Sequence, residues 1–273
     1  MRFGIREKLI LAVLIAHTLA LYSVSAFFSD PQSFYNKTAE IVPHIIKYQP
    51  ETVFVSGDIT NYGNRTEDFE EFLRVIRPLT KTAEIYPALG NHDKDIEMFL
   101  RYFPQVDSLT YYTVDRDGVV WIILNSNLKL APGSVQYNWL VERLEENRDR
   151  TVAVMMHHPV YSSGPRGDEK GFRTLFPALF SKYSVAAVFS GHDHFYERSG
   201  KDGIHYVVFG GGGYPLYKND TENDTSIVYV RTHGFIILRP ENGEMLVKAF
   251  NDKGELIDEF SFAIKPMAET PSE

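Results

Sequence analysis

The 273-residue chain contains no cysteine. This absence excludes disulfide bonds, zinc–thiolate sites and cysteine nucleophiles, and it is compatible with any redox compartment. Positive charge is also scarce, because 28 Lys and Arg residues face 36 Asp and Glu residues and leave a formal net charge of −8. Proteins that track a nucleic-acid backbone usually carry a basic face, so we predict no nucleic-acid partner.

The chain also lacks internal repeats, low-complexity segments and any linker rich in proline, glycine and serine. Hydrophobic residues make up 44% of it, which is enough for a sizeable core. We therefore predict a single domain over residues 21–265, followed by a frayed tail over residues 266–273.

The amino terminus is typical of an export signal, since three basic residues precede an apolar run from Leu9 to Phe28. Small residues suit cleavage after Ala20 or Ala26, and we favour Ala20 because the later cut would remove most of the first strand. An uncleaved anchor over residues 9–28 and a buried strand with a basic leader are the alternatives. We predict an exported protein, periplasmic, extracellular or membrane-anchored, with residues 1–20 as signal peptide or anchor and no other membrane contact.

Short β-rich runs alternate with helical stretches in the first two thirds of the chain, which predicts parallel strands and an α/β fold. The last third reads as antiparallel strands. Predicted strands lie near residues 21–29, 52–56, 83–89, 111–115, 118–126, 151–159, 185–194, 204–213, 226–240 and 244–251, and predicted helices near 34–48, 67–77, 95–102 and 134–147.

Polar side chains that could bind a metal follow five of the predicted strands. One such cluster is usually a turn or a helix cap, but parallel strands bring their carboxyl ends to one edge of a sheet, so five clusters indicate a shared site. The clusters are Asp30 and Gln32 in "FFSDPQ", Asp58 in "FVSGDITN", Asn91, His92 and Asp93 in "YPALGNHDKD", His157 and His158 in "VMMHHP", and His192 and His194 in "FSGHDH".

The pair His192 and His194 needs a turn to bind one site, because side chains at i and i+2 of a regular strand point to opposite faces. We expect the strand to end at Ser190 and Gly191 to let the backbone turn. Two surface histidines on a loop are the alternative interpretation.

Oxygen and imidazole ligands without thiolate favour Mn, Fe or Zn, and their number suggests two ions. Two ions roughly 3.5–4 Å apart clamp the attacking and leaving oxygens of an in-line phosphoryl displacement. Two divalent ions with the carboxylates of Asp30 and Asp58 would leave a local charge of about +2 for a small phosphorylated substrate.

The ordered set of motifs resembles the calcineurin-like metallophosphoesterase family, and "HHPVYSSG" and "GHDHFYERS" are similar to its purple acid phosphatase branch. The resemblance implies a four-layer α/β/β/α sandwich of two mixed sheets, with two divalent or trivalent ions (Mn, Fe or Zn) at the strand ends. It implies hydrolysis of phosphomonoesters by a metal-bridging hydroxide. A phosphodiesterase for cyclic nucleotides or phospholipid head groups is the enzymatic alternative, and a metal-bound protein that only binds a phosphorylated ligand is the other.

The resemblance also implies a role for each motif residue. His92 would be the general acid that protonates the leaving oxygen, with Asp93 hydrogen-bonded behind it to orient it and raise its pKa. The implied metal ligands are Asp58 as a bridge between the ions, Asp30 and His194 on one ion, and Asn91, His157 and His192 on the other.

Two positions depart from the family pattern. Much of the family has histidine where this chain has Gln32, which could offer an amide oxygen, hydrogen-bond a ligand water or cap the following helix. The purple branch has a metal-bound tyrosine where this chain has Asn61, with Tyr62 one residue later. We therefore expect no tyrosinate-to-iron colour.

Four further residues are candidates for substrate binding: His158, Tyr161, Tyr196 and Arg198. The alternatives are an inward structural role for His158, packing for the tyrosines and an ion pair for Arg198. The "FGGGGYPLY" run lacks the lysine and helix of a phosphate-binding loop, so we expect a tight return near the site. Substrate choice should depend on loops such as 127–134 and 162–171.

Overall fold

The computed structural model describes residues 23–106, 108–168, 170–218 and 220–266. The predicted signal peptide or anchor over residues 1–20 and nearly all of the predicted tail lie outside these residues. Among the described residues, no helix is both long enough and apolar enough to cross a lipid bilayer.

Thirteen strands and five helices make up the described part of the chain. The helices are α1 (Tyr35–Ile46), α2 (Thr66–Thr80), α3 (Ile96–Tyr102), α4 (Val135–Glu146) and α5 (Phe172–Lys182). The strands are β1 (Ser25–Phe28), β2 (Thr52–Val55), β3 (Glu84–Pro87), β4 (Tyr112–Arg116), β5 (Val119–Leu124), β6 (Thr151–Met156), β7 (Ala187–Ser190), β8 (Tyr196–Lys201), β9 (Ile204–Phe209), β10 (Ser226–Val230), β11 (Gly234–Glu241), β12 (Glu244–Asn251) and β13 (Leu256–Ala263).

The strands form two mixed sheets. The first has the order β13-β12-β11-β1-β2-β3, in which β1, β2 and β3 are parallel. The second has the order β10-β8-β9-β7-β6-β5-β4, in which β5, β6, β7 and β9 are parallel. The predicted α/β class with two mixed sheets is confirmed.

Aromatic side chains fill the space between the two sheets. Phe54 of β2 stacks on Trp121 of β5 with ring centroids 4.2 Å apart. Phe27 of β1 meets Phe189 of β7 at 5.6 Å. All four side chains are buried, and such large aromatic residues dominate the energetics of a core.

Helices cover the outer face of each sheet and complete four layers. On the first sheet, Phe28 of β1 packs against Phe72 of α2 at 6.4 Å. On the second, buried residues of α4 and α5, among them Leu140 and Phe176, share one apolar cluster with Val154 of β6. Apolar residues recur every three or four positions along these helices, so that one face of each helix packs on a sheet.

Three elements were not predicted from the sequence: α5, β8 and β13. In α5 the signal was present, because Phe172, Phe176 and Phe180 recur every four residues and all three are buried. In β8 the sequence "YERSGK" is too polar to indicate a strand, and pairing with β9 and β10 provides the backbone hydrogen bonds.

Candidate metal centre

The five polar clusters come together at one end of the sandwich, where β1, β2 and β3 of the first sheet face β6 and β7 of the second. The convergence therefore involves two facing sheets, whereas the sequence argument considered only one sheet edge. A hydrogen bond from Ser56 Oγ to the Met156 carbonyl oxygen, 2.9 Å long, connects the ends of β2 and β6 directly.

Glycines let the strand ends approach one another. A Cβ on Gly57 would lie 2.4 Å from the Gly90 nitrogen, so the turns after β2 and β3 touch through their backbones. A Cβ on Gly191 would lie 2.3 Å from Asp30 Oδ2, so the turn after β7 lies against β1. A side chain at either position would force Asp58 or Asp30 away from the other predicted ligands.

Three predicted ligands have left-handed backbone conformations: Asp30 with φ 59°, Asp58 with φ 48° and His192 with φ 70°. Non-glycine residues in this region are strained, and such residues concentrate at functional sites. The predicted end of β7 at Ser190 is confirmed, but the left-handed turn is at His192 rather than at Gly191, whose role is close contact.

Asp58, Asn91, His157 and His192 form the first set of converging donor atoms. His157 Nε2 lies 3.4 Å from Asp58 Oδ2 and 3.0 Å from Asn91 Oδ1. His192 Nδ1 lies 3.0 Å from Asn91 Oδ1 and 3.2 Å from His157 Nε2. One carboxylate and two imidazoles of this set have ligand atoms within 4.8 Å of one another, which is compatible with a metal site.

Asp30, His194 and Gln32 form a second set beside the first. His194 Nε2 lies 3.4 Å from Asp30 Oδ1. Gln32 Nε2 donates to Asp58 Oδ2 at 3.4 Å, so Asp58 touches both sets. Gln32 does not cap α1, because the residue at that position is Phe34; the capping alternative for Gln32 is wrong.

The outer nitrogen of one histidine in each set is held by a backbone carbonyl. His157 Nδ1 lies 2.8 Å from the Ser56 oxygen, and His194 Nδ1 lies 3.0 Å from the Pro215 oxygen. In the neutral ring, donation from Nδ1 leaves Nε2, the nitrogen that faces a carboxylate, with the lone pair that could bind a metal. Metal-binding histidines are commonly oriented in this way.

Burial sets the electrostatics of the first set. Burial opposes charge on Asp58, but the neighbouring His157 and His92 outweigh it and hold the pKa of Asp58 below its usual value. Burial also disfavours charge on His157, yet Asp58 and Asp30 raise its pKa to about 9. Burial and the nearby His157 lower the pKa of His192. The two buried carboxylates therefore create a strong demand for positive charge.

The donor set fits metal ions. Asp30 Oδ1 and Gln32 Oε1 are buried and have no hydrogen-bond partner among the described residues. Buried polar atoms are rarely left in this state without a ligand, a water or an ion. Carboxylate, amide and imidazole donors without thiolate match the chemistry expected of Mn, Fe or Zn.

The structure corrects the predicted relationship between His92 and Asp93. His92 Nδ1 lies 2.7 Å from the Asn61 carbonyl oxygen, and Asp93 makes no hydrogen bond to the ring. Asp93 is buried and accepts hydrogen bonds from the nitrogens of Ile59, Thr60 and Gly90 at 3.0–3.3 Å. It therefore connects the turns after β2 and β3, because three backbone donors converge there and the carboxylate satisfies all of them.

His158 lies beside the first set and points inward. Its ring centroid is 4.4 Å from that of His192, and its Nδ1 is 2.8 Å from Ser126 Oγ. Its exposed fraction is 1%, and burial, aided by the charge of His157, lowers its pKa to about 2. The structure therefore favours an inward, neutral His158 that packs against the predicted ligand His192.

Tyr161, Tyr196 and Arg198 make the contacts of the alternative interpretation, which are packing for the tyrosines and an ion pair for Arg198. Tyr161 is buried in the core beneath the second sheet, with its ring 4.8 Å from that of Tyr206. Tyr196 Oη and Arg198 Nε both donate to Asp258 Oδ2 at 2.6 Å. The sequence could not reveal this ion pair, because Asp258 belongs to a strand 60 residues away.

The glycine-rich run forms the expected tight return beside the site. The Gly212 nitrogen donates to the Ser29 oxygen at 2.7 Å, and the Tyr214 nitrogen donates to the Asp30 oxygen at 3.1 Å. Tyr217, which sequence reasoning missed, stacks on His194 with centroids 4.1 Å apart. The aromatic residues that follow the glycines were the only signal for this contact.

A family model now identifies the chain: residues 25–196 match the calcineurin-like phosphoesterase model. The protein belongs to the calcineurin-like phosphoesterase family. The matched region contains every predicted metal ligand and both strand-end turns that Asp93 connects. The resemblance inferred from the five motifs is confirmed.

The relatives include plant phosphatases and a bacterial phosphodiesterase. A phosphoenolpyruvate phosphatase of Allium cepa is 28% identical over 63% of this chain and 41% of its own length. Purple acid phosphatase 21 of Arabidopsis thaliana is 26% identical over 64% of this chain and 47% of its own. A glycerophosphodiester phosphodiesterase of Enterobacter lignolyticus is 33% identical over 57% and 61%. The chain thus spans about half the length of these curated relatives.

Two solved structures share the fold. A purple acid phosphatase from yellow lupin superimposes with a TM-score of 0.73 at 20% identity, over 88% of this chain and 53% of its own. GAP50, described as the anchor in the inner membrane complex of Plasmodium, superimposes with a TM-score of 0.74 at 17% identity, over 89% of both chains. At these identities the two likenesses support the fold alone.

Proposed function

We propose that the protein is a metal-dependent phosphoric ester hydrolase that hydrolyses phosphomonoesters at a two-metal centre. The observation that carries the proposal is the pair of converging donor sets around Asp58, in which Asp30 Oδ1 and Gln32 Oε1 are buried and accept no hydrogen bond from the described residues. Membership of the calcineurin-like phosphoesterase family supports it.

The same residues would hold the metals. Asn91, His157 and His192 would bind one ion, Asp30 and His194 the other, with Gln32 beside them, and Asp58 would bridge. When bound, the two ions supply positive charge for the phosphoryl oxygens and lower the pKa of water. The chain's own task is to hold these donors rigidly, which the Ser56 and Pro215 carbonyls do for the histidines.

His92 is the proposed general acid. Its side chain is 31% exposed, and its Nε2 lies 4.0 Å from Asp58 Oδ2 at the edge of the donor sets. Because Nδ1 is directed at the Asn61 carbonyl, the proton available for transfer is the one on Nε2. In the protonated ring, Nε2 would donate this proton to the leaving alcohol oxygen.

Phosphodiester hydrolysis is the second candidate, with cyclic nucleotides or phospholipid head groups as the substrate classes. The glycerophosphodiester phosphodiesterase among the relatives favours it. A protein that only binds a phosphorylated ligand would not need a partly exposed acid such as His92 at the site, and this observation favours an enzyme.

We also infer export. The support is the basic leader and apolar run of residues 1–20. Cleavage after Ala20 would leave β1 whole, because β1 begins at Ser25, whereas cleavage after Ala26 would remove half of this strand. Fractionation of the producing cells and amino-terminal sequencing of the mature chain test this. A full-length chain confined to the cytosol would contradict it.

Hydrolysis assays on metal-stripped protein test the function. A chromogenic phosphomonoester and its bis-ester are assayed after adding back Mn, Fe or Zn, with Asp58→Asn, His92→Ala and the surface control Asp115→Asn. We expect metal-dependent monoester turnover that both site variants lose and the control keeps. Preference for the bis-ester would favour the second candidate, and absence of turnover with two ions bound would favour the binding protein.

A further inference from the structure

The segment of residues 161–168, between β6 and α5, is fixed to the turn that carries two predicted metal ligands. Ser162 Oγ donates to Asp193 Oδ2 at 2.5 Å, and the Gly164 nitrogen donates to Ser162 Oγ at 3.0 Å. A Cβ on Gly164 would lie 2.2 Å from Asp193 Cγ. Asp193 stands between His192 and His194 in sequence and is fully buried, so the segment is held directly against the metal centre.

This segment places the guanidinium of Arg166 beside the metal centre. Arg166 lies over the ring of Tyr217, with its Cζ 5.3 Å from the centroid, and Nη2 donates to Tyr217 Oη at 3.4 Å. Its Nη1 lies 4.0 Å from Asp193 Oδ1. The ring of Tyr217 also stacks on that of His194, with the two ring centroids 4.1 Å apart. One aromatic ring therefore separates Arg166 from a predicted ligand.

The guanidinium of Arg166 is close to the donor sets, because only the ring of Tyr217 lies between it and His194. The side chain is itself 38% exposed, so it can be reached from solvent. A planar guanidinium matches the oxygens of a phosphate group in geometry as well as charge.

We propose that Arg166 is a substrate-binding residue, which contacts the phosphoryl oxygens of the ester and selects dianionic monoesters over monoanionic diesters. The inference rests on the proposed function and adds a determinant of its substrate class. A phosphomonoester carries a charge of about −1.5 to −2 at neutral pH, so a cation at the mouth of the site attracts it more strongly than a diester with one charge.

Arg173 provides a matched control. Its guanidinium also lies over a tyrosine ring, that of Tyr161, at 5.1 Å, and it also pairs with a carboxylate, that of Asp224, at 2.5 Å. Its side chain is 35% exposed, close to the 38% of Arg166. The two carboxylate partners differ, because Asp224 is 86% exposed at the surface, whereas Asp193 is fully buried between His192 and His194.

The experiment compares wild type, Arg166→Met, Arg166→Lys and Arg173→Met as full chains loaded with Mn. Inorganic phosphate is the probe for binding, measured by calorimetry, and metal content and melting temperature are measured on the same samples. We expect Arg166→Met to raise the phosphate Kd and the KM for the monoester roughly ten- to hundred-fold, the range for one lost charge-assisted hydrogen bond. The bis-ester KM should change less, Arg166→Lys should recover part of the loss, and Arg173→Met should match wild type.

The two proposals fail in different ways. Monoester turnover by wild type with an unchanged phosphate Kd and KM in Arg166→Met would overturn the inference and leave the proposed function standing. Metal-loaded wild type that binds phosphate through Arg166 but turns over neither ester would overturn the function and support the inference. Wild type that binds no phosphate would overturn the inference, as would equal losses in Arg166→Met and Arg173→Met.

Discussion

His157 Nε2 lies 3.4 Å from Asp58 Oδ2, and both side chains are almost completely withdrawn from solvent. The pKa of His157 is raised to about 9 because, against the cost of burial, Asp58 and Asp30 favour its charged form. A protonated imidazole therefore meets the demand for positive charge that the two carboxylates create. A metal ion competes for the same place, so metal binding should release a proton from this pair.

Replacing Asp58 with asparagine should remove the residue that touches both donor sets. We expect Asp58→Asn to bind fewer ions per chain and to lose more activity than the 10- to 100-fold typical of losing an outer partner of a ligand. Metal analysis after desalting and the melting temperature with and without added Mn check this. Asp115→Asn, whose side chain is 58% exposed, should keep both properties, and an Asp58→Asn protein that retains two ions would contradict the role of the bridge.

The positions of the predicted ligands could be read from the sequence because each follows a strongly apolar strand, and strand ends meet at one end of an α/β fold. Hydrogen-bond partners could not be read in the same way. Asp93 follows His92 directly, yet it accepts from backbone nitrogens of two different turns, and only the packing of those turns determines this. The ion pair of Arg198 could not be predicted either, because its partner Asp258 lies in β13, a strand that was not predicted.

Because Asp93 connects two turns and makes no hydrogen bond to the His92 ring, variants of the two residues should have different effects on activity and stability. Loss of a general acid costs about 100- to 10,000-fold when the leaving alcohol needs a proton and less when it does not. We expect His92→Ala to slow an alkyl phosphate far more than a nitrophenyl phosphate. Asp93 connects the turns after β2 and β3, so Asp93→Asn should lower the free energy of unfolding by about 1–3 kcal/mol. Its effect on turnover should not depend on the leaving group.

Turnover of the two esters by both variants, with urea unfolding of the same samples, checks this distinction. Wild type provides the reference ratio between the esters. If Asp93→Asn reproduced the leaving-group dependence of His92→Ala at unchanged stability, the predicted pairing of the two side chains would be restored. Metal content should stay at the wild-type level in His92→Ala, because the ring is outside both donor sets.

Because Asn61 is not a tyrosine, we expect the iron-loaded protein to lack the purple colour. The purple branch has a metal-bound tyrosine at this position, and here Tyr62, the next residue, is 58% exposed at the surface. We expect the ferric protein to lack a tyrosinate charge-transfer band and Asn61→Tyr to acquire one. His92 should keep its contact in the variant, since the Asn61 group that it meets is the backbone carbonyl. Visible spectra of both proteins check this, and a band in wild type would contradict it.

Asp258 should stabilise the fold in a pH-dependent way and leave the activity intact. Its carboxylate accepts from Arg198 Nε at 2.6 Å, from Arg198 Nη2 at 3.0 Å and from Tyr196 Oη at 2.6 Å. Burial opposes its ionisation, but these partners prevail and hold its pKa below the ordinary value of 3.8. A carboxyl with a lowered folded-state pKa contributes stability above the unfolded-state pKa and loses it as the pH falls through the folded-state pKa.

We therefore expect Asp258→Asn to lower the free energy of unfolding by about 1.5–3 kcal/mol at neutral pH, the range for hydrogen bonds to charged groups. The difference from wild type should persist down to about pH 4 and shrink below it, as the wild-type carboxylate takes up its proton. Urea unfolding across this pH range measures the difference. The exposed pair of Asp115 and Arg150 supplies the control, since Asp115→Asn should change stability little at any pH. If Asp258→Asn lost activity at unchanged stability, the ion pair would not stabilise the fold. Arg198 would then again be a candidate for substrate binding.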